Sequence, residues 1–491
     1  MKKLKFDKKF ILIALIGFLL VVTLFTKYYG STDLSDYSDT ARYFAGDYSA
    51  DIRSSHSYLY GYLVHFFLIF DSYFIFKIFS IILIALIVIS VYFISGKEKN
   101  AFWLIAFAPT VWYMAPWINP IQISSLFLLW SWYFIEKYSH DDKIKNLAFA
   151  GIFLGLSFAF WDTILFFGSF LIIWFMFDKK LSHLFFLLFF ILIGLLPRLI
   201  LDYSLFGFPF FSILKSFFGT LSNAFLFGRG SSYTSGIWTN FITFFLIFIS
   251  IPFLFWRSYK KDSFFDNKKT LGFLSVCLIL IFINPQIRYT LAIIPIIIVL
   301  ISRNLNEIQF KKQLTTFILI SFIFIIPTIL QIFFSFNQTN YADITSVLTE
   351  KNSYTLTNSF EPDLIKTDLN QITKDYPSEE LYLVLGIPDY YQKLAHIYWG
   401  DKIKEFVSIQ DYSMYYLNLT DIFSKKLIFL PKINERRYIW IGGGIGKNPN
   451  DLTNYSEIDY ALSFKEENLT DVPKGFEKIK DYSILSVWNK N

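Results

Sequence analysis

Apolar runs of about 17 to 22 residues recur along most of this 491-residue chain, and the short loops between them are rich in Lys and Arg. A run of that length crosses roughly 30 Å of hydrocarbon as a helix. Inside a bilayer every backbone polar group must be satisfied within the protein, which leaves helices or a closed barrel. A barrel would show segments of alternating polarity, whereas these runs are continuous. The composition agrees: 54% of residues are hydrophobic and 21% aromatic, with 60 Phe. The fold class read from the sequence is a polytopic α-helical membrane protein with about 11 transmembrane helices.

The basic segment Met1 to Lys9 precedes a first run from Phe10 to about Thr26. The run is long and no small-x-small cleavage site follows, so it reads as an uncleaved first helix with a cytoplasmic N-terminus. Further helices are predicted at 73–95, 101–115, 121–136, 146–161, 163–177, 182–200, 237–256, 271–283, 289–302 and 313–335. Residues 27–72 form a first outer loop. Within it, segment 57–70 is apolar, rich in Tyr and Phe, and short for a span, so it reads as an interfacial helix. If it crossed, every later loop would flip and the basic loops would alternate wrongly. In the chosen register Lys and Arg crowd the inner loops. The outer loops up to residue 336 carry only Lys27, Arg42, Arg53, Arg198, Lys215, Arg229 and Arg288.

The tail changes character. Residues 337–491 are polar, with strand-length apolar stretches at 381–386, 426–430 and 438–442 and a short helical stretch at 389–398. They predict an extracytoplasmic α/β domain after a membrane domain of residues 1–336. Four Asn-x-Ser/Thr sequons (Asn337, Asn418, Asn454, Asn468) fall in the tail. The single cysteine, Cys277, permits no intrachain disulfide and reads as a packing residue. The net charge of +6 is accounted for by the basic loops, so no nucleic-acid partner is implied. Walker, GxGxxG and HExxH motifs are absent.

The strongly placed polar groups collect at predicted outer helix ends: Asp33 and Asp36 after helix one, Asp162 after helix five, Arg198 and Asp202 after helix seven, and Arg288-Tyr289 at the start of helix ten. Both signs of charge at one membrane face suit an anionic lipid head and a polar co-substrate. A sugar on a polyprenyl phosphate carries its own leaving group. Its transfer needs a base for the acceptor hydroxyl, which a carboxylate supplies, and a cation for the departing phosphate, which Arg supplies. A monophosphate leaves with its own charge, so no metal and no cofactor is required, although a divalent ion would be compatible. A lipid-linked-sugar flippase would instead want broken helices and charges at mid-membrane. A non-catalytic scaffold with a partner-binding tail would leave Asp33 and Arg288 without a role. His65 lies on the aromatic interfacial segment and reads as packed.

Three stretches resemble one family. Thr32-Asp33-Leu34-Ser35-Asp36-Tyr37 with Ala41-Arg42-Tyr43 resembles the G-D-x-x-x-Y-x-x-x-A-R stretch in the first outer loop of GT-C fold glycosyltransferases. Dolichyl-phosphate-mannose protein mannosyltransferases and lipid A aminoarabinose transferases belong to that group. Ser57 to Leu63 is similar to their P-L-Y-P-L-L interfacial helix, and Arg288-Tyr289 to Pro295 to their R-Y-x-x-x-x-x-P segment. The resemblance covers roughly residues 10–336. It implies that Asp33 is the catalytic base with Asp36 beside it. It further implies that Arg288 contacts the lipid phosphate, and Asp162 matches the acidic outer end of a middle helix in some members. By their placement at the outer face, Tyr289 and Arg198 are further candidates for the lipid phosphate and Tyr37, Arg53 and His56, with Asp162, for the substrates. The acceptor is then a glycan, lipid or protein at the outer face of the cell membrane. Thr32 stands where the family has Gly. The turn Trp117-Ile118-Asn119 lacks the acidic pair of metal-dependent oligosaccharyltransferases, and their W-W-D-Y-G motif is missing. Both absences point to a monosaccharide-phosphate donor without a metal.

Overall fold

The computed structural model describes residues 8–25, 57–70, 73–117, 119–176, 179–214, 216, 267–283, 287–303, 305–334, 381–385, 440–441, 458–464, 476–483 and 485–490, with 37, 40, 41, 44, 45, 367, 368, 371, 372 and 374–376. Asp33, Asp36, Arg53 and His56 lie outside the described residues. So do the predicted helix 237–256, the stretches 389–398 and 426–430, and the four sequons. The chain divides into two compact units. Unit one comprises residues 1–30, 72–197 and 235–359; unit two comprises 31–71, 198–234 and 360–491.

Unit one is helical. Its elements are α1 (Lys8–Phe25), then, after α2 of unit two (Leu59–Val64), α3 (Tyr73–Ile94), α4 (Lys99–Ala106), α5 (Pro109–Met114), α6 (Ile121–Asp141), α7 (Ile144–Phe160) and α8 (Ile164–Met176). They continue with most of α9 (Leu181–Phe206), α10 (Asn267–Ile283), α11 (Ile287–Thr290), α12 (Ile294–Ser302) and α13 (Glu307–Phe334). Among the described residues two stretches are long and apolar enough to cross a membrane by length and composition, Ile75–Ile94 and Leu181–Leu205; Lys9–Phe25, Ile144–Phe160, Ile164–Met176 and Lys269–Ile281 are apolar and shorter. On α9, Phe185, Phe189, Leu192 and Leu196 are exposed while Leu187 and Leu195 are buried. Such a one-sided apolar stripe on the outside suits a hydrocarbon surround better than water.

Proline accounts for two breaks that the hydropathy pattern does not show. The stretch 101–115 reads as one helix but is divided between α4 and α5. Ala108 is extended (φ −64°, ψ 127°) because it precedes Pro109, whose ring disfavours helical geometry at the residue before it. The stretch 289–302 is likewise divided. The amides of Leu291, Ala292 and Ile293 reach back three residues, and α12 starts afresh with Pro295 in its first turn.

Packing of α7 against α9 brings backbone onto backbone. A Cβ on Gly155 would lie 2.1 Å from the Ile191 carbonyl oxygen, and one on Gly194 would lie 2.2 Å from that of Ile152. Only glycine allows so close a crossing. The α6–α7 pair is joined by reciprocal bonds. Ser124 Oγ donates to the Ser157 carbonyl at 3.0 Å, and Ser157 Oγ donates to the Ser124 carbonyl at 2.7 Å. Farther along α6, buried Glu136 accepts from Thr270 Oγ1 of α10, which itself accepts from Trp132 Nε1 at 3.0 Å. Arg303 donates twice to the Ser95 carbonyl, at 3.0 and 2.8 Å, closing the end of α3 where Gly96 and Lys97 take positive φ.

In unit two, α2 is followed by a 3-10 turn, His65–Phe70. Twelve residues are too few to cross a bilayer, whichever helical rise they take. Tyr60 is buried and packs edge-on against Tyr37, with ring centres 5.1 Å apart. Gly61 lies against Thr40, whose Cγ2 a Cβ would meet at 2.5 Å. The tail carries a five-stranded sheet of β1 (Leu381–Leu385), β2 (Trp440–Ile441), β3 (Ile458–Phe464), β4 (Phe476–Asp481) and β5 (Leu485–Lys490). The order is β2-β1-β3-β5-β4, parallel across β2-β1-β3 and antiparallel across β3-β5-β4. Two of the three predicted strands, 381–386 and 438–442, coincide with β1 and β2.

Candidate functional site

Several polar groups of unit one gather around α5, α11 and the turns that precede α6 and α8. Thr110 on α5 and Thr290 on α11 are both fully buried, with their hydroxyls 3.0 Å apart. This bond holds a four-residue helix that carries Arg288 and Tyr289. The Arg288 guanidinium lies over the Tyr289 ring, 5.6 Å from its centre, within cation–π range. Trp161 meets the same ring at 5.6 Å and 37°. Tyr289 thus links the half-buried Arg288 to the turn between α7 and α8, where Trp161 is extended (φ −145°, ψ 117°) and Asp162 follows. Of the residues singled out in the sequence, Arg288 and Tyr289 are therefore brought to the turn in which Asp162 follows Trp161.

A second part was not legible as a site. Lys77 sits within the apolar run of α3 and is about 1% exposed. A buried ammonium in such a helix is costly unless a negative or strongly polar group faces it. One turn on, Ser80 Oγ donates to the Trp117 carbonyl at 2.6 Å. That carbonyl also accepts from Gln122 Nε2 at 2.8 Å, and Trp117 packs against Tyr113 of α5. Asn119 Oδ1 accepts from the Ile121 amide at 3.0 Å, an Asx turn that leads into α6. A run of "Phe-Lys-Ile" within 22 apolar residues is the only signal of Lys77 in the sequence.

In unit two Arg198 and Asp202 are both fully buried at the end of α9 and are joined through Ser212. Arg198 Nε donates to Ser212 Oγ at 2.8 Å; Ser212 Oγ and its backbone amide donate to Asp202 Oδ2 at 2.6 and 2.8 Å. The guanidinium is therefore engaged in a buried charge-bearing network, which offsets the cost of taking it out of water. Tyr37 is packed against Tyr60 as described. Among the described residues no group of three or more His, Cys, Asp or Glu side chains could hold a metal ion.

No family model and no curated protein matches the sequence. Solved structures do match it. The structure of ArnT from Cupriavidus metallidurans bound to undecaprenyl phosphate aligns over 98% of this chain and 98% of that one, with a TM-score of 0.53 at 11% identity. The apo state of the same protein aligns over the same shares, with a TM-score of 0.52 at 9% identity. The oligosaccharyltransferase of Archaeoglobus fulgidus, tethered to an acceptor peptide, aligns over 93% of this chain and 69% of that one, with a TM-score of 0.40 at 12% identity. The fold of this chain is similar to that of ArnT, an aminoarabinose transferase of the GT-C fold.

Proposed function

We propose that the chain is an integral membrane glycosyltransferase that moves a sugar from a polyprenyl-phosphate donor to an acceptor at the extracytoplasmic face. The observation that carries this reading is the likeness over 98% of both chains to ArnT bound to undecaprenyl phosphate. In this reading about 11 helices span the cell membrane, the N-terminus is cytoplasmic and the tail lies outside.

The chemistry is a single displacement. The acceptor hydroxyl oxygen forms a bond to the anomeric carbon while the bond from that carbon to the phosphate oxygen breaks. The electron pair leaves with the polyprenyl phosphate, and the acceptor proton passes to Asp33. Attack opposite the leaving group inverts the configuration. Asp36 supports the base. Arg288, steadied by Tyr289, and buried Lys77 offer cationic groups to the departing phosphate, and Arg198 is assigned to the same lipid phosphate. Asp162, Tyr37, Arg53 and His56 are assigned to the polar substrates. The monophosphate carries the charge away, so the reaction proceeds without a metal.

The test is transfer of radiolabelled sugar from a panel of undecaprenyl- and dolichyl-phosphate-linked donors, in membranes containing the wild type or Asp33→Asn. Removing a general base costs on the order of 10²- to 10⁴-fold. Wild-type transfer with such a loss in a normally inserted variant supports the reading. No transfer from any donor, with translocation of a lipid-linked sugar across vesicles, replaces it with a flippase. Full activity of Asp33→Asn keeps the enzyme and removes Asp33 as its base.

A further inference from the structure

Gln122 lies in the first turn of α6, fully buried, and its partners determine which way its amide faces. Nε2 donates to the Met114 carbonyl at 3.1 Å and to the Trp117 carbonyl at 2.8 Å. Both partners are acceptors, so a flipped amide would set oxygen against oxygen. Oε1 is thereby fixed as an acceptor. It is buried and has no hydrogen-bond partner among the described residues. Three residues on, Ser125 Oγ is in the same condition, fully buried and without a partner. This is not the habit of the helix: Ser124 and Ser131 each donate to a carbonyl of α7. Leaving a buried polar atom unsatisfied costs about 1–3 kcal/mol. Two such atoms one turn apart on a helix face imply a third participant.

Hydrogen-bond chemistry restricts what that participant is. It must donate to Gln122 Oε1 and must donate to or accept from Ser125 Oγ. An ionised phosphate only accepts, and a polyprenyl chain does neither. A hydroxyl does both. Residues three apart on a helix lie on one face, and a single hydroxyl can donate to one such atom while accepting from the other. The location fits a sugar head: the Trp117 carbonyl that holds Gln122 also holds Ser80, one turn from Lys77.

We propose that Gln122 and Ser125 form a hydroxyl-recognition subsite for the sugar of the lipid-linked donor, an inference that rests on the glycosyltransferase reading above. The subsite selects donors by a particular hydroxyl and takes no part in the proton transfer.

Ser125 is the position to vary, because Gln122 also holds the turn before α6. Full-length wild type, Ser125→Ala and Ser125→Thr are compared in nanodiscs. The donors are the undecaprenyl-phosphate-linked sugar that the wild type transfers and its set of mono-deoxy analogues. One lost hydrogen bond predicts about a tenfold fall in kcat/KM for Ser125→Ala with the parent donor, and recovery in Ser125→Thr. With one deoxy analogue, and only one, the wild type and Ser125→Ala become equal. An unchanged Ser125→Ala, or the same loss with every analogue, overturns the subsite and leaves an ordered water as the occupant. No wild-type transfer from any donor overturns the transferase reading itself, and the subsite with it.

Discussion

Thr110 Oγ1 and Thr290 Oγ1, 180 positions apart in the chain, lie 3.0 Å from each other in a fully buried hydrogen bond. The bond joins α5 to the four-residue helix whose second residue is Arg288. So short a helix has too few internal bonds to hold itself. Its orientation depends on Thr110, on Trp161 against Tyr289, and on the start of α12.

Thr110→Val keeps the shape and removes the bond, which is worth about 0.5–1.5 kcal/mol. The expected result is a rise of roughly two- to tenfold in KM for the lipid donor, with kcat much less affected. Thr110→Ser should restore the wild-type value. Steady-state kinetics with a varied donor separate this from a general loss of folded protein, which lowers kcat.

Arg288 is expected to resist conservative replacement. Lys supplies charge but neither the planar fork nor the same stacking on Tyr289. Donor binding should weaken about tenfold in Arg288→Lys and about 10- to 100-fold in Arg288→Gln, since a hydrogen bond to a charged group is worth about 1.5–3 kcal/mol. Equilibrium binding of undecaprenyl phosphate to detergent-solubilised protein reads this directly. Equal affinities in all three proteins would remove Arg288 from the phosphate site.

Gly194→Ala tests the α7–α9 crossing. The added methyl would lie 2.2 Å from the Ile152 carbonyl oxygen, and backbone cannot step aside as a side chain can. Overpacking of this kind costs about 1–3 kcal/mol. Thermal unfolding in nanodiscs should begin a few degrees lower, with donor KM unchanged in the protein that remains folded.

In the tail, Lys480 donates to Asp375 at 2.5 Å and Tyr482 donates to it at 2.7 Å. These bonds hold the Asp375 carboxyl down at about 2 from its ordinary 3.8. A depressed value means that the ionised form favours the folded tail. The contribution is complete above about pH 4 and is lost as the pH falls through 2. Wild type should therefore exceed Asp375→Asn in stability at neutral pH, and the difference should close between pH 4 and 2. Denaturation followed by tail tryptophan fluorescence across that range is the measurement, and a gap independent of pH would show that Asp375 acts by packing alone.

Much of this was legible in the chain. Continuous apolar runs gave α3 and α9, and strand-length runs gave β1 and β2. Arg288-Tyr289 and Asp162 stand out in the sequence, and Tyr289 packs against Trp161, the neighbour of Asp162. What escaped was of two kinds. Helix breaks at Ala108 and at 291–293 follow from single prolines, which a hydropathy window averages away. Lys77 and Thr110 escaped because each is one polar residue within an apolar stretch, and Gln122 and Ser125 because they are uncharged polar residues at the start of an apolar helix. Their significance lies in which distant residue or carbonyl each meets, and no local pattern records that.

The sheet of the tail fixes the order in which the tail can assemble. Strands β4 and β5 are joined by three residues, Tyr482 to Ile484, and their pairing is local. Strand β1 must wait for β3 across residues 386–457. Long loop closure precedes any gain from such a pairing, which makes it slow. During synthesis β1 emerges well before either parallel neighbour, with its backbone edges open to any strand nearby. The C-terminal hairpin is synthesised last but pairs fastest, so the tail closes from its end backwards. Truncating the chain before Phe476 would take away that starting point and leave β1 and β3 as aggregation-prone edges.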